Sequence, residues 1–192
     1  DPRDVRRILH PLPEVLLLVV CGTIEPRKNH LLLTRVWGRL ISTLGPHAPR
    51  LLVVGKRGWS TEPIVAALHD ADIRSHIVEA SGVPTPVYRS LLGDALGLLA
   101  PSFDEGFGLT LAEALGAGIP AIASDIPSHR EQAGRHALLL DPADEDGWFR
   151  TIAAFAEPAS GSRHEALARA TSYAPVSARR YLADLEAFLE GL

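Results

Sequence analysis

The feature that most constrains the fold is a continuous apolar run, Val15–Cys21, which ends at Gly22. A run of this length without polar alternation is typical of a strand buried on both faces, as in a parallel sheet. Short apolar runs then alternate with helical segments along the chain. This alternation predicts βαβ units and therefore an α/β fold with one Rossmann-like, doubly wound parallel sheet. Strands are predicted at 15–21, 51–54, 76–78, 96–100, 119–123 and 137–140.

Between these strands, apolar residues recur at spacings of three and four, which is the period of an amphipathic helix. In the first such segment Leu32, Val36 and Leu40 fall on one stripe, and Gly45 followed by Pro46 ends the helix. Helices are predicted at 31–44, 62–70, 86–92, 109–115, 128–133, 147–156, 164–170 and 177–189.

Length and composition favour a single well-cored domain. The chain has 192 residues, which suits one hydrophobic core. Its formal net charge of −4 lacks the basic excess of a nucleic-acid-binding protein. Cys21 is the only cysteine, so no intrachain disulfide can form and a reducing compartment is expected. The longest apolar run is much shorter than the roughly 20 residues that span a bilayer.

Ligands of doubly wound sheets bind at the carboxyl ends of the strands, so the loops there are expected to carry the chemistry. After the fourth strand, Gly106 and Gly108 bracket Phe107 directly before a helix. Glycines let backbone N–H groups approach a ligand, and a helix N-terminus favours phosphate. The flanking Glu105 and Glu113 would repel phosphate and suit sugar or ribose hydroxyls. The spacing alone is equally compatible with a tight structural turn and a solvated Glu113.

Basic residues follow the first two strands. Arg27 and Lys28 lie just before the first helix, while Lys56 and Arg57 follow the second strand. Cations at this edge could neutralise a diphosphate leaving group, which is electrostatic stabilisation of developing charge. The alternative for the first loop is an exposed basic turn in which Asn29 caps the helix.

Taken together, these loops resemble the C-terminal, donor-binding half of GT-B fold glycosyltransferases of family 4, also called glycosyl transferases group 1. Four segments carry the resemblance, which covers nearly the whole chain. The third contains two glutamates separated by seven residues, Glu105 and Glu113, around Gly-Phe-Gly. The segments are 22–29, 51–59, 102–120 and 124–131.

The resemblance implies a retaining, metal-independent transfer of a hexose, with mannose or a related sugar favoured, from a GDP- or UDP-linked donor. The acceptor would be a glycan or a lipid-linked saccharide, and no cofactor is expected. Glu105 would contact the donor hexose, and Lys28, helped by Arg27, would bind the diphosphate; these three form the implied catalytic set. The implied donor-binding residues are Glu113, Gly106, Phe107, Gly108, Leu109, Thr110, Gly22, Thr23 and Lys56.

One residue departs from the family pattern. Many members carry an arginine directly after the glycine that aligns with Gly22, whereas this chain has Thr23. A hydroxyl cannot replace the charge of a guanidinium. Either Arg27 compensates for the missing charge or diphosphate binding is weakened.

The resemblance also implies that the chain is half of a longer enzyme. Residues 1–12 are expected to be an interdomain linker, and an N-terminal acceptor domain is expected outside this chain. Residues 175–192 would form a closing helix whose stripe, Tyr181, Leu185 and Leu189, packs on this domain or crosses to the other one. We expect a cytoplasmic protein that meets the inner membrane, if at all, through the missing half.

Two other classes of function compete with this interpretation. One is a non-catalytic nucleotide-binding or interaction module with the same fold. The other is an NAD-dependent oxidoreductase, which is disfavoured because the first turn lacks Gly-x-Gly-x-x-Gly. The histidines are not spaced as zinc ligands, so a zinc site is not expected. Ser102 lacks the Gly-x-Ser-x-Gly elbow of a serine hydrolase. A glycosidase pair is disfavoured as well, because neighbouring loop carboxylates such as Asp104 and Glu105 seldom face each other. Trp37 and Trp148 are expected to pack, and Trp59 to border a nucleotide.

Overall fold

The computed structural model describes residues 16–175 and 178–190. In this part of the chain, six parallel strands form one sheet in the order β3-β2-β1-β4-β5-β6. The predicted doubly wound parallel sheet is therefore confirmed, and the strand order reverses next to β1. The strands are β1 (Leu17–Cys21), β2 (Arg50–Val54), β3 (Ile77–Ala80), β4 (Gly97–Ala100), β5 (Ala121–Ser124) and β6 (Leu138–Leu140).

Helices connect the strands and cover both faces of the sheet. They are α1 (His30–Leu44), α2 (Glu62–Leu68), α3 (Thr85–Gly93), α4 (Leu109–Gly116), α5 (Pro127–Ala133), α6 (Glu145–Ala156), α7 (Gly161–Thr171) and α8 (Ala178–Glu190). Two helices begin earlier than the apolar period predicts, because a side chain caps each of them. Asp144 accepts a hydrogen bond from the Gly147 N–H, and Ser160 accepts one from the Arg163 N–H.

The core has two layers. On one face α1, α2 and α6 bury Trp37, Trp148 and Phe155 against the sheet, and on the other face α3, α4, α5 and α7 pack around β4 and β5. Each buried indole finds a carbonyl, since Trp37 Nε1 donates to Pro49 O at 2.8 Å and Trp148 Nε1 to Asp141 O at 3.0 Å. The prediction that both tryptophans pack is confirmed.

The last helix, α8, exposes four large apolar side chains. Leu182, Leu185, Phe188 and Leu189 are between 41% and 64% exposed. Leu185 and Leu189 of the predicted stripe therefore do not pack on this domain, while the side chain of Tyr181 and the predicted linker 1–12 lie outside the described residues. α8 presents an apolar face that the sheet domain does not cover.

The loops after β1 and β2 are joined into one extension of the sheet. Gly22 N donates to Val54 O at 2.9 Å, Ile24 N donates to Lys56 O at 2.8 Å, and Gly58 N donates to Ile24 O at 2.9 Å. The side chain of Ile24 is fully buried and belongs to the core layer that contains Trp37 and Trp148. The two basic loops predicted from the sequence are therefore held side by side by backbone hydrogen bonds.

Asn29 connects three loops at the carboxyl edge of the sheet. Its amide Nδ2 donates to Pro101 O at 3.1 Å, in the loop after β4, and to Pro142 O at 3.0 Å, after β6. Its backbone is left-handed with φ of 55°, a conformation that asparagine tolerates better than most residues. Asn29 occupies the N-cap position of α1, but its side chain makes no capping bond. The alternative is therefore right in placing Asn29 at the N-cap position, but the Asn29 side chain connects loops and does not cap the helix.

We expect Asn29→Ala to lower the free energy of unfolding by about 2–3 kcal/mol, because two buried hydrogen bonds and a favourable left-handed residue are lost. Urea denaturation measures this change. Asn29→Gly removes the same bonds, but glycine adopts the positive φ without strain. Its free energy of unfolding should therefore fall less than that of the alanine variant. A loss below 0.5 kcal/mol for Asn29→Ala would contradict the connecting role.

Candidate functional site

The centre of the candidate site is the carboxylate of Glu105, in the loop between β4 and α4. Lys28 Nζ lies 2.5 Å from Glu105 Oε1, and the Ser102 hydroxyl donates to the same oxygen at 2.7 Å. Arg27 Nη1 donates to Glu105 Oε2 at 3.1 Å. The Glu105 side chain is only 11% exposed. The structure thus brings together the three residues of the implied catalytic set, although Lys28 and Arg27 lie 77 and 78 positions before Glu105 in the sequence.

Glu105 is held as an anion. Burial by itself raises the pKa of the Glu105 carboxyl, but hydrogen bonds from Lys28, Ser102 and Arg27 outweigh it, so the pKa lies below its usual value. An ionised carboxylate accepts hydrogen bonds only. The group can therefore bind the hydroxyls of a neutral ligand, and it is poorly suited to donating a proton.

Arg27 uses its guanidinium to connect the loops around Glu105. Its Nη2 lies 2.7 Å from Glu25 Oε1, and its Nη1 also donates to the backbone oxygen of Asp104 at 2.7 Å. Asp104 therefore enters the site through its carbonyl, and its exposed side chain forms no carboxylate pair with Glu105. Two cations and two carboxylates, Lys28 and Arg27 with Glu105 and Glu25, form what we call the ion-pair cluster.

Gly22 makes room for the lysine of this cluster. Its φ of 148° is one that side chains rarely adopt. A Cβ added to Gly22 would lie 3.2 Å from Lys28 Cε and 3.4 Å from Lys28 Nζ. The absence of a side chain at Gly22 therefore lets the lysine fold back over the end of β1 toward Glu105.

Gly108 shapes the turn that enters α4. Its φ is 75°, in the left-handed region, and an added Cβ would lie 3.3 Å from His129 Cδ2. The first N–H groups of a helix have no partner within it, so the start of α4 at Leu109 and Thr110 offers donors beside Glu105. Gly106 and Phe107 are exposed at the mouth of the site. The local geometry permits an anion or a polar ligand to approach the backbone here.

The remaining predicted residues lie on the surface around this centre. Glu113 is exposed one turn into α4, and Thr23 and Lys56 are exposed in the joined loops. In the described part of the chain none of these three pairs with the ion-pair cluster. Arg57 turns away from the site, because its Nε and Nη2 bind Glu79 at 2.8 Å and 2.9 Å. Trp59 is exposed in the same loop.

Two buried histidines beneath the site were not singled out by the sequence pattern. His129 Nδ1 lies 2.9 Å from Ser124 O, and burial lowers the pKa of this imidazole. His30, the first residue of α1, is 1% exposed, and neither ring nitrogen has a hydrogen-bond partner among the described residues. Burial, together with the nearby charge of Lys28, lowers the pKa of His30 to about 4. Both rings are neutral at pH 7.

The depressed pKa of His30 predicts acid destabilisation. The folded chain resists protonation while the unfolded chain does not, so stability is fully present above the usual pKa near 6.5 and falls toward pH 4. The loss of unfolding free energy that this histidine causes is ~3 kcal/mol. Urea unfolding at pH 7 and at pH 4.5 measures it, and His30→Leu should show a smaller loss than the unaltered chain. Equal losses in both proteins would contradict this assignment.

In the described part of the chain, no group of three or more histidine, cysteine or acidic side chains is placed to hold a metal ion. None of the helices in that part of the chain combines the length and the apolar character needed to cross a bilayer.

Comparison with known proteins identifies relatives of this chain. The sequence model of the family described as "Glycosyl transferases group 1" matches residues 15–157. The O-antigen chain mannosyltransferase B of Escherichia coli is 33% identical over 125 residues, which are 65% of this chain and 32% of that protein. The D-inositol 3-phosphate glycosyltransferase of Stackebrandtia nassauensis is 29% identical over 164 residues, 79% of this chain and 36% of that protein. The chain thus spans about a third of these two relatives.

Solved structures share the fold. WaaG, a glycosyltransferase involved in lipopolysaccharide biosynthesis, superposes with a TM-score of 0.76 at 21% identity, covering 98% of this chain and 50% of that one. The sucrose-phosphate synthase of Thermosynechococcus elongatus superposes with a TM-score of 0.71 at 20% identity, covering 98% and 49% respectively. These overlaps confirm the predicted fold, a Rossmann-like half of the GT-B type.

Proposed function

Because this chain belongs to the group 1 glycosyltransferases, we propose that it is the donor-binding half of a retaining enzyme. The proposed reaction transfers a hexose from a GDP- or UDP-linked donor to a glycan or a lipid-linked saccharide, without a metal ion. Mannose is the favoured sugar, since relatives 33% and 28% identical to this chain are named mannosyltransferases. The observation that carries the proposal is the buried, ionised Glu105 held by Lys28, Arg27 and Ser102 at the start of α4.

The proposed roles follow from the chemistry of each group. The Glu105 carboxylate accepts hydrogen bonds from the hexose hydroxyls, and the ammonium of Lys28 re-pairs with the diphosphate when the donor binds. The exposed Glu113 accepts from the ribose hydroxyls, and the first N–H groups of α4 bind the phosphate or hexose region. Lys56 lies on the base side of the site.

The proposed transfer takes place on one face of the sugar. The bond between the anomeric carbon and the phosphate oxygen breaks, and its electron pair leaves with the nucleoside diphosphate. The acceptor oxygen forms the new bond on the same face, and its proton passes to the departing phosphate. Lys28, assisted by Arg27, would stabilise the negative charge that develops on that phosphate.

A second candidate is a non-catalytic nucleotide-binding module with this fold. Thr23, neutral and exposed where many relatives carry arginine, is the observation that favours it. Arg27 already binds Glu105 and Glu25, so compensation by Arg27 requires those pairs to rearrange. Loss of sugar transfer on Glu113→Ala, in a protein that contains this chain together with an acceptor domain, would favour the enzyme, whereas unchanged transfer would favour the module.

We also propose that the acceptor site belongs to a separate N-terminal domain and that the enzyme is cytoplasmic, with any contact with the inner membrane made through that domain. The chain alone then binds donor nucleotides weakly and transfers little or no sugar. The support is the limited share of each relative that this chain covers.

Calorimetric titration of the chain tests the proposal. GDP, UDP, GDP-mannose and UDP-glucose are the ligands, NAD is the comparison, and a transfer assay follows. We expect one nucleoside diphosphate and its sugar to bind, and NAD not to bind. Absence of binding by all four nucleotides would overturn the site assignment. Rapid sugar transfer by the chain alone would overturn the half-enzyme interpretation.

A further inference from the structure

A small cavity lies directly behind the ion-pair cluster. Its volume is ≈ 10 Å³, close to the roughly 10–15 Å³ that one water molecule requires. Its lining combines apolar residues of the core layers with six polar side chains. These side chains are Lys28, His30, Ser102, Glu105, Thr110 and His129.

His30 is the unusual member of this lining. The other buried residues on its face of α1 are Leu33, Trp37 and Leu40, which are fully enclosed and largely apolar, and Thr34. A neutral imidazole carries one donor and one acceptor nitrogen, and buried polar atoms almost always have a protein or water partner. Neither nitrogen of His30 has a hydrogen bond of full geometry to a described group. The Glu25 backbone falls short of that geometry but still acts on the ring as a weak hydrogen-bond acceptor, and the charges of Lys28, Glu25 and Glu79 act on it as well.

The opposite wall of the cavity offers a complementary acceptor. A carbonyl oxygen can only accept, so the 2.9 Å contact with Ser124 O places the hydrogen of His129 on Nδ1. Nε2 of His129 is then an acceptor, and this edge of the ring faces Gly108, which also lines the cavity. Glu105 adds a carboxylate acceptor, while Ser102 and Thr110 add hydroxyls. A single water molecule would meet enough donors and acceptors here.

We propose that one internal water molecule in this cavity joins the His30 ring to the Glu105 carboxylate, and that His30 is a positioning residue. The water holds the carboxylate from the side on which His30 lies. Lys28, Ser102 and Arg27 hold it from the sides. The role in sugar recognition rests on the proposed function of Glu105, whereas the water site itself does not.

The matched experiment compares His30→Leu with His76→Leu. His76 is also a buried histidine with an unpartnered Nε2, but it lies at the amino end of β3, away from the site. Leucine fills the space of either ring without a polar atom. Titration with the nucleoside diphosphate and with its sugar separates the diphosphate contacts from the hexose contacts.

For His30→Leu we expect affinity for the nucleotide sugar to fall about tenfold, the value of one water-mediated hydrogen bond, while affinity for the nucleoside diphosphate changes less than twofold. His30→Gln, which can bind the water, should restore most of the loss, and His76→Leu should change neither affinity. Unchanged sugar affinity in His30→Leu, or an equal fall for both ligands, would overturn the positioning role. Failure of the unaltered chain to bind either ligand would instead count against the proposed function.

A readout independent of any ligand tests the water site. A high-resolution crystal structure of the chain should show one ordered water within hydrogen-bond distance of a His30 nitrogen and of Glu105. The His30→Leu structure should lack it and keep the Lys28–Glu105 contact. A dry cavity in the unaltered protein, or a protein group bonded to both His30 nitrogens, would overturn the proposal.

Discussion

Replacing Gly55 with alanine is expected to lower the free energy of unfolding by more than about 3 kcal/mol. A Cβ at this position would lie 1.9 Å from the backbone oxygen of Gly22, and no side chain can move aside to relieve that clash. The Gly22 carbonyl is held in place because Gly22 N donates to Val54 O and Gly55 N donates to Ala80 O. Relief would require separating the joined loops and the ends of three strands.

Gly106→Ala is the matched control for this prediction. An added Cβ at Gly106 meets nothing within 4 Å, and its φ is not in the left-handed region. We expect it to change the unfolding free energy by less than about 0.5 kcal/mol. Urea denaturation of both variants gives the comparison. Similar stability of Gly55→Ala and the unaltered chain would show that the loops separate without cost.

The largest expected effect on ligand binding is that of Lys28→Met. This change removes the ammonium that lies 2.5 Å from Glu105 and is proposed to take the diphosphate. One charge-assisted hydrogen bond is worth about 1.5–3 kcal/mol, so affinity for the preferred nucleoside diphosphate should fall about 10- to 150-fold. The pKa of the Glu105 carboxyl should also rise, because its strongest hydrogen bond is lost while it stays buried.

Arg74→Met provides the control, since Arg74 is exposed and lies just before β3, at the amino end of the strand and away from the site. This variant changes the same net charge without touching the ion-pair cluster, and screened surface charges contribute little. We expect an affinity loss of less than about threefold. Calorimetric titration of both variants measures the difference. Equal losses would show that net charge, and not the placement of Lys28, governs binding.

The fold was largely predictable because its signals are local. Apolar runs such as 51–54 and 137–140 mark strands, and the structure places the buried strand β2 and the half-buried edge strand β6 there. Helix starts were less predictable, because the apolar period begins one turn after the capping residue. Asp144 and Ser160 belong to the residue types that commonly cap helices. Their capping bonds account for the earlier starts of α6 and α7.

The candidate site was predictable as a location and not as a set of contacts. The rule that ligands bind at the carboxyl ends of parallel strands brings Lys28 and Glu105 to the same edge. It does not say that the two side chains touch, since that depends on Gly22 allowing the lysine to fold back. Nor can it show that Ser102 supports Glu105, although a hydroxyl three residues before a carboxylate is a visible pattern. The assigned ligand roles remain predictions.

The buried histidines were unpredictable for a different reason. His30 begins α1 at a position where the helical period favours an apolar residue, so its polarity has no signature in the pattern. Its importance depends on burial and on the absence of a bonding partner among the described residues, and both are properties of the tertiary structure. The same holds for Asn29, whose amide bonds two loops that lie 72 and 113 positions away.

The formal charge of the ion-pair cluster has a kinetic consequence. Lys28 and Arg27 are balanced by Glu105 and Glu25, so the cluster sums to zero. The electric fields of opposite charges a few ångströms apart largely cancel at distances beyond the Debye length of about 10 Å. The cluster therefore exerts little attraction on a distant anion. If a diphosphate binds here as proposed, it should reach the site by unsteered diffusion, with an association rate that depends weakly on ionic strength. Selectivity for the anion then resides in how slowly it leaves.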